Sequence, residues 1–161
     1  MAINIARQIH KLLIKNELTV AVAESCTGGL VSSYLTQNSG SSRYFLLGAT
    51  VYSNQAKIDI LGIPETLIAR KGAVCAEVAL NMAKRIRKIA SSDFGVGITG
   101  IAGPGGATQG KPVGTVFIAV ASKDKSIYKR FQFSGNRTAI RKRSVMGALK
   151  LLAKTMRQTL K

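Results

Sequence analysis

Tryptophan is missing from this 161-residue sequence, and aromatic residues make up only 6 % of it. Side chains that stack nucleic-acid bases are therefore scarce, and none follows Phe133. There are two cysteines and one histidine. Without Cys/His ligand spacing they exclude a disulfide scaffold and a structural zinc site. No metal and no cofactor is expected, and a reduced cytoplasmic setting is. The lone histidine, His10, falls inside the first helical pattern, so a Ser-His-Asp triad is not expected. No apolar run approaches the roughly 18 residues of a membrane span. The opening stretch MAINIARQIHKLLIKNEL has no uninterrupted apolar core with a small-residue cleavage site, so it does not read as a secretory signal. No membrane partner is expected. Acidic residues are scarce too: 7 Asp+Glu face 24 Lys+Arg, a formal charge of +17. That excess suggests a nucleic-acid or phosphorylated partner, or only a solvated basic surface.

Apolar residues reach 46 %, too many for disorder, and a chain of this length buries roughly 70 % of its unfolded surface. One domain over 1–161 is expected. Apolar spacing predicts helices over Ile3–Lys15, Leu30–Thr36, Asn54–Leu61, Glu65–Arg70 (with Pro64 at the first helical position), Ala76–Ala90 and Thr138–Leu160. Strands are expected over Thr19–Ala23, Phe45–Ser53, Phe94–Ile98, Val113–Ala121 and Ser126–Phe133, the last two joined as a hairpin. Strands alternating with helices predict an α/β domain of three layers, α/β/α, and the hairpin makes its mostly parallel sheet mixed. Ligands in such sheets bind beyond the carboxyl ends of strands. Two glycine-bearing segments fall at such ends.

The first is Glu24-Ser25-Cys26-Thr27-Gly28-Gly29. A buried strand runs into small polar residues, where Ser25 or Cys26 is a candidate nucleophile. Backbone amides beside a helix start suit an oxyanion. The plain alternative is a tight turn with Ser25 or Thr27 as helix cap. It is not the G-x-S-x-G elbow, because Ala23 and Thr27 hold the glycine positions. The second is the long loop from Gly97 to Gly114, with Thr99 as its best-placed polar side chain. Gly105 to Lys111 imitates phosphate-loop spacing, but Pro112 replaces the magnesium-binding hydroxyl and a strand follows.

A serine nucleophile needs a base, and lysine serves if partial burial lowers its pKa. Lys57 follows Tyr52-Ser53-Asn54 at a helix start, although by composition it reads as a surface lysine. Ser126 and Lys129 match S-x-x-K, but on a strand they face opposite ways. Arg137 follows the candidate cap Asn136; a cation in a first turn opposes the helix dipole, which marks it as a possible phosphate clamp.

Together AESCTGG (23–29), GSS (40–42), VYSNQAK (51–57), GAV (72–74), GITGIAGPGG (97–106), KPVGTV (111–116) and FSGNR (133–137) resemble the CinA C-terminal domain family over nearly the whole chain. The family's characterised members are nicotinamide-nucleotide amidases. The resemblance implies a three-layer α/β/α fold. It also implies hydrolysis of nicotinamide mononucleotide to nicotinic acid mononucleotide and ammonia, in pyridine-nucleotide recycling. By motif, Ser25 would be nucleophile, Lys57 general base and Tyr52 its assistant. Ser42, Thr99 and Arg137 match further active-site positions, and Thr27, Gly28 and Gly29 would line the substrate site. The family's frequent N-terminal molybdopterin-binding-like domain has no counterpart in these residues, so a stand-alone form is expected. A homo-oligomer, dimer or larger, is expected on the same ground.

From Lys125 onward there are eleven Lys/Arg and no acid, with Lys150, Lys154, Arg157 and Lys161 at helical spacing. That reads as the solvated face of a docked amphipathic helix. A small nucleotide substrate is favoured over nucleic acid, and a non-catalytic nucleotide- or nucleic-acid-binding domain is the competing reading.

Overall fold

A computed structural model describes residues 1–160. The chain runs α1 (Ala2–Lys15), β1 (Val20–Glu24), α2 (Leu30–Thr36), a 3-10 turn (Ser41–Arg43), β2 (Phe45–Thr50), α3 (Asn54–Leu61), α4 (Glu65–Lys71), α5 (Ala76–Ala90), β3 (Phe94–Gly100), β4 (Thr115–Ala121), β5 (Ser126–Gln132) and α6 (Arg137–Thr159). The sheet order is β2-β1-β3-β4-β5. β1 pairs in parallel with β2 and β3, and the β3–β4 and β4–β5 pairs are antiparallel. Four of the five strands thus point one way and only β4 is reversed, which makes the sheet mixed.

Alternation along the buried strands sorts side chains into two cores. Val20 and Val22 of β1 and Val96 and Ile98 of β3 face α1, α2 and α6. Ala21 and Ala23 face the other way, toward Leu61 of α3, Ile68 of α4 and Val78, Met82 and Ile86 of α5. Helices therefore cover both faces, giving the three layers expected.

Small residues set the distance between α5 and the sheet. A Cβ on Gly95 would lie 2.1 Å from the Ala83 carbonyl oxygen, and one on Gly97 would lie 2.3 Å from that of Ala79. The helix backbone itself rests on β3 there, so no side chain fits between them.

Element limits differ from the sequence reading at a few ends. β2 stops at Thr50, not Ser53, because Ser53 is the N-cap of α3 and accepts from the Ala56 N–H at 3.0 Å. β4 begins at Thr115: Gly114 is left-handed (φ 91°) and its N–H turns to the Ile101 carbonyl at 2.7 Å. Pro64 sits just before α4 with extended ψ, and Glu65 is its first helical residue. α6 starts one residue early, at Arg137, capped by Asn136 accepting from the Ala139 N–H.

Gly97→Ala is expected to lower stability by about 2 kcal/mol, because the methyl must displace helix backbone. A urea denaturation midpoint equal to wild type would contradict the close approach of α5.

Candidate functional site

β1 ends at Glu24, opposite Ile98 and two residues before the end of β3. The next residue, Ser25, stays tied to the sheet: its N–H donates to the Ile98 carbonyl at 3.0 Å. Its side chain enters a cavity of about 260 Å³. Cys26, Tyr52, Asn54, Lys57, Thr99 and Arg137 also line it, with Ala73, Val74 and the loop from Gly100 to Gly106.

Lys57 is 1 % exposed. It reaches the cavity because α3 starts directly after β2, which aims the fourth helical residue back across the strand ends. Its Nζ lies 3.2 Å from Ser25 Oγ, 2.9 Å from the Val51 carbonyl oxygen, 3.1 Å from that of Tyr52 and 3.4 Å from that of Ser53. No carboxylate pairs with it among the described residues. Burial pushes the amine below the ordinary lysine value, and the nearby Cys26 side chain opposes this more weakly. A neutral amine has two N–H donors and one lone pair. In that form the Val51 and Tyr52 carbonyls would take the donors, and the lone pair would be left to accept from the Ser25 hydroxyl. Three of the four oxygens around the amine are backbone carbonyls, so the lysine is held in place without a charged partner.

Cys26, the other candidate nucleophile, is buried, and burial pushes its thiol up to about 12. It remains a thiol at neutral pH and is a poor nucleophile there.

Glu24 does something the sequence reading did not anticipate. It is fully buried at the end of β1. Its carboxylate accepts from the N–H groups of Gly29 and Val31 at 3.1 Å and Ser32 at 2.8 Å, and from Ser32 Oγ at 2.7 Å. It thus caps α2, the role that the plain alternative gave to Ser25 or Thr27, and satisfies the helix-start amides. Its signal was an acid at the end of an apolar strand, five residues before a glycine, in a chain with few acids.

Thr27, Gly28 and Gly29 accordingly lie under the turn and do not line the cavity. Gly28 and Gly29 have positive φ of 58° and 91°, and a Cβ on Gly28 would sit 3.1 Å from an Arg141 nitrogen. The Cys26 amide follows the serine directly, at a residue that lines the cavity, and donates to no backbone carbonyl among the described residues.

Ser42 is also elsewhere. It is exposed in the 3-10 turn preceding β2. β2 begins opposite Val20, the start of β1, so Ser42 lies at the amino end of the sheet, roughly 15 Å from Ser25 by strand rise. Tyr52 contributes its carbonyl to Lys57, while its hydroxyl accepts from Arg137 at 2.6 Å on the rim. Arg137 also donates to the Gly103 carbonyl at 2.8 Å, which ties the start of α6 to the glycine loop. Thr99 is buried and donates to the Ala73 carbonyl at 2.9 Å. Lys111 donates to the Lys71 carbonyl at 2.8 Å, outside the cavity. Among the described residues no group of three His, Cys, Asp or Glu side chains could hold a metal ion, and no helix is long and apolar enough to cross a membrane.

A sequence model of the CinA C-terminal domain matches residues 2–156. This chain belongs to that family. It is 45 % identical over 148 residues to a CinA-like protein of Geobacter sulfurreducens, covering 92 % of this chain and 36 % of the relative. It is 47 % identical over 145 residues to a CinA-like protein of Geotalea daltonii, covering 90 % and 35 %. The chain spans about a third of the length of these curated relatives. Among solved structures, the competence-damaged protein (CinA) superfamily protein from Enterobacter cloacae superposes with a TM-score of 0.92 at 32 % identity, covering 97 % of this chain and 92 % of that one. The competence/damage inducible protein CihA from Agrobacterium tumefaciens gives 0.91 at 37 % identity, over 94 % and 93 %. The three-layer mixed-sheet fold is therefore the fold of this CinA family.

Glu24→Gln should destabilise the protein by about 2 kcal/mol, because its amide NH2 must face backbone donors. Urea unfolding measures this; a midpoint equal to wild type would show that the carboxylate does not hold the turn.

Proposed function

We propose that this protein is an amidohydrolase that converts nicotinamide mononucleotide to nicotinic acid mononucleotide and ammonia. The supporting observation is the contact between Ser25 Oγ and the buried, carboxylate-free Lys57 Nζ at 3.2 Å. A surface lysine is protonated at neutral pH and takes no proton; a buried one with a lowered pKa can.

In the first step Ser25 Oγ attacks the carboxamide carbon while Lys57 removes the hydroxyl proton. The C–O bond forms, and the carbonyl electron pair moves to oxygen. The Cys26 amide, directly after the nucleophile at a residue lining the cavity, receives that oxyanion. Collapse breaks the C–N bond, and Lys57 returns its proton to the leaving nitrogen, releasing ammonia. Water then attacks the acyl-serine with Lys57 again as base, and the carboxylate product leaves with Ser25 regenerated. Arg137, held at the rim by Tyr52 and Gly103, suits the 5′-phosphate, together with amides of the loop from Gly100 to Gly106. The +17 chain draws an anionic nucleotide toward that rim.

Ammonia release from nicotinamide mononucleotide is the test. Ser25→Ala and Lys57→Ala are each expected to lower kcat by at least about 1000-fold, with the circular dichroism spectrum unchanged. Unaltered turnover in Ser25→Ala would reject the serine mechanism. No ammonia from the wild-type protein would reject the substrate.

A further inference from the structure

Arg141 lies on the first turns of α6, beneath the loop that carries Ser25. One guanidinium nitrogen donates to the Thr27 carbonyl at 2.9 Å. The same nitrogen stands 3.1 Å from where a Gly28 side chain would begin, so the glycine admits it. No carboxylate pairs with Arg141 among the described residues.

The bond network carries this contact to the nucleophile's neighbour. The Thr27 carbonyl shares its peptide group with the Gly28 N–H. The Gly28 N–H donates to the Ser25 carbonyl at 3.0 Å. The Ser25 carbonyl in turn shares its peptide group with the Cys26 N–H, the amide directly after the nucleophile, at a residue lining the cavity. Charge at Arg141 polarises the first peptide, which strengthens the second bond and polarises the next peptide in the same sense. The far end of the chain is an N–H beside Ser25 made more acidic and fixed in direction.

We infer that Arg141 is a positioning residue that aligns and polarises the Cys26 amide as an oxyanion donor, acting through the Thr27 and Ser25 carbonyls. The inference rests on the amidase reading for its kinetic consequence but not for its structural one. Arg141 touches no reacting atom. It strengthens only what forms in the transition state, so it governs kcat and leaves substrate binding alone.

The test compares Arg141→Gln and Arg141→Lys with wild type. Backbone amide resonances of Gly28 and Cys26, recorded without substrate, should shift upfield in Arg141→Gln and return most of the way in Arg141→Lys. With nicotinamide mononucleotide, kcat should fall about tenfold in Arg141→Gln, with KM within twofold, and recover in Arg141→Lys. Amides that stay in place in a folded Arg141→Gln would overturn the inference, as would a change confined to KM. If Arg141→Gln does not fold, Arg141→Lys decides alone: kcat and amide positions near wild type support the charge-borne effect, and loss of both rejects it. Should the wild-type protein release no ammonia, the amidase reading fails, and the substrate-free amide shifts still decide the role of Arg141.

Discussion

A lysine amine held out of water by backbone carbonyls is the constraint around which this structure is arranged. Lys57 Nζ meets the Val51 and Tyr52 carbonyls on one side and Ser25 Oγ on the other. That arrangement needs β1 and β2 to end together. They do, with Glu24 opposite Thr50 and the Val51 N–H donating to the Glu24 carbonyl at 2.9 Å. It also needs α3 to start at once, which the Ser53 cap enforces. A one-residue slip in the β1–β2 register would turn the strand ends over and separate serine from lysine.

The surroundings preserve the lysine's lack of charge compensation. The acid nearest in sequence to Ser25 is Glu24, and its carboxylate is fully engaged by the α2 amides and Ser32 on the other side of the sheet. A carboxylate turned toward Lys57 would stabilise the ammonium and remove the base. The same carboxylate shapes the turn that holds Ser25. One acid thus serves stability and keeps away from the amine, while the Gly95 and Gly97 contacts seat α5 against the neighbouring strand.

Much of this frame is legible in the residues. Short apolar strands and amphipathic helices give themselves away by spacing, and Ser25, Thr99 and Arg137 stand at strand ends or a helix start where ligands gather. Burial is not local, and there the reading stops. Composition makes Lys57 a surface residue; only the meeting of β1, β2 and α3 buries it, and similarity of the VYSNQAK segment to a family was what raised it. Ser42 looks like a neighbour of the site on paper, yet parallel pairing puts the start of β2 at the opposite end of the sheet. The amides of the Gly28-Gly29 turn were natural anion donors until the Glu24 carboxylate occupied the one on Gly29 and the Ser25 carbonyl the one on Gly28. Arg141 carried no signal beyond its place in a basic block.

The account turns on Lys57 acting as a neutral base, and the pH dependence of kcat/KM tests that most directly. Burial in the fold lowers the amine's pKa below the ordinary lysine value. Only the deprotonated form accepts the serine proton, so kcat/KM for nicotinamide mononucleotide should rise with pH. The rise should follow one group with a midpoint below that of a free lysine and then level off. A midpoint at or above that of a free lysine, or a rate that does not fall at any acidic pH where the protein stays folded, would contradict it.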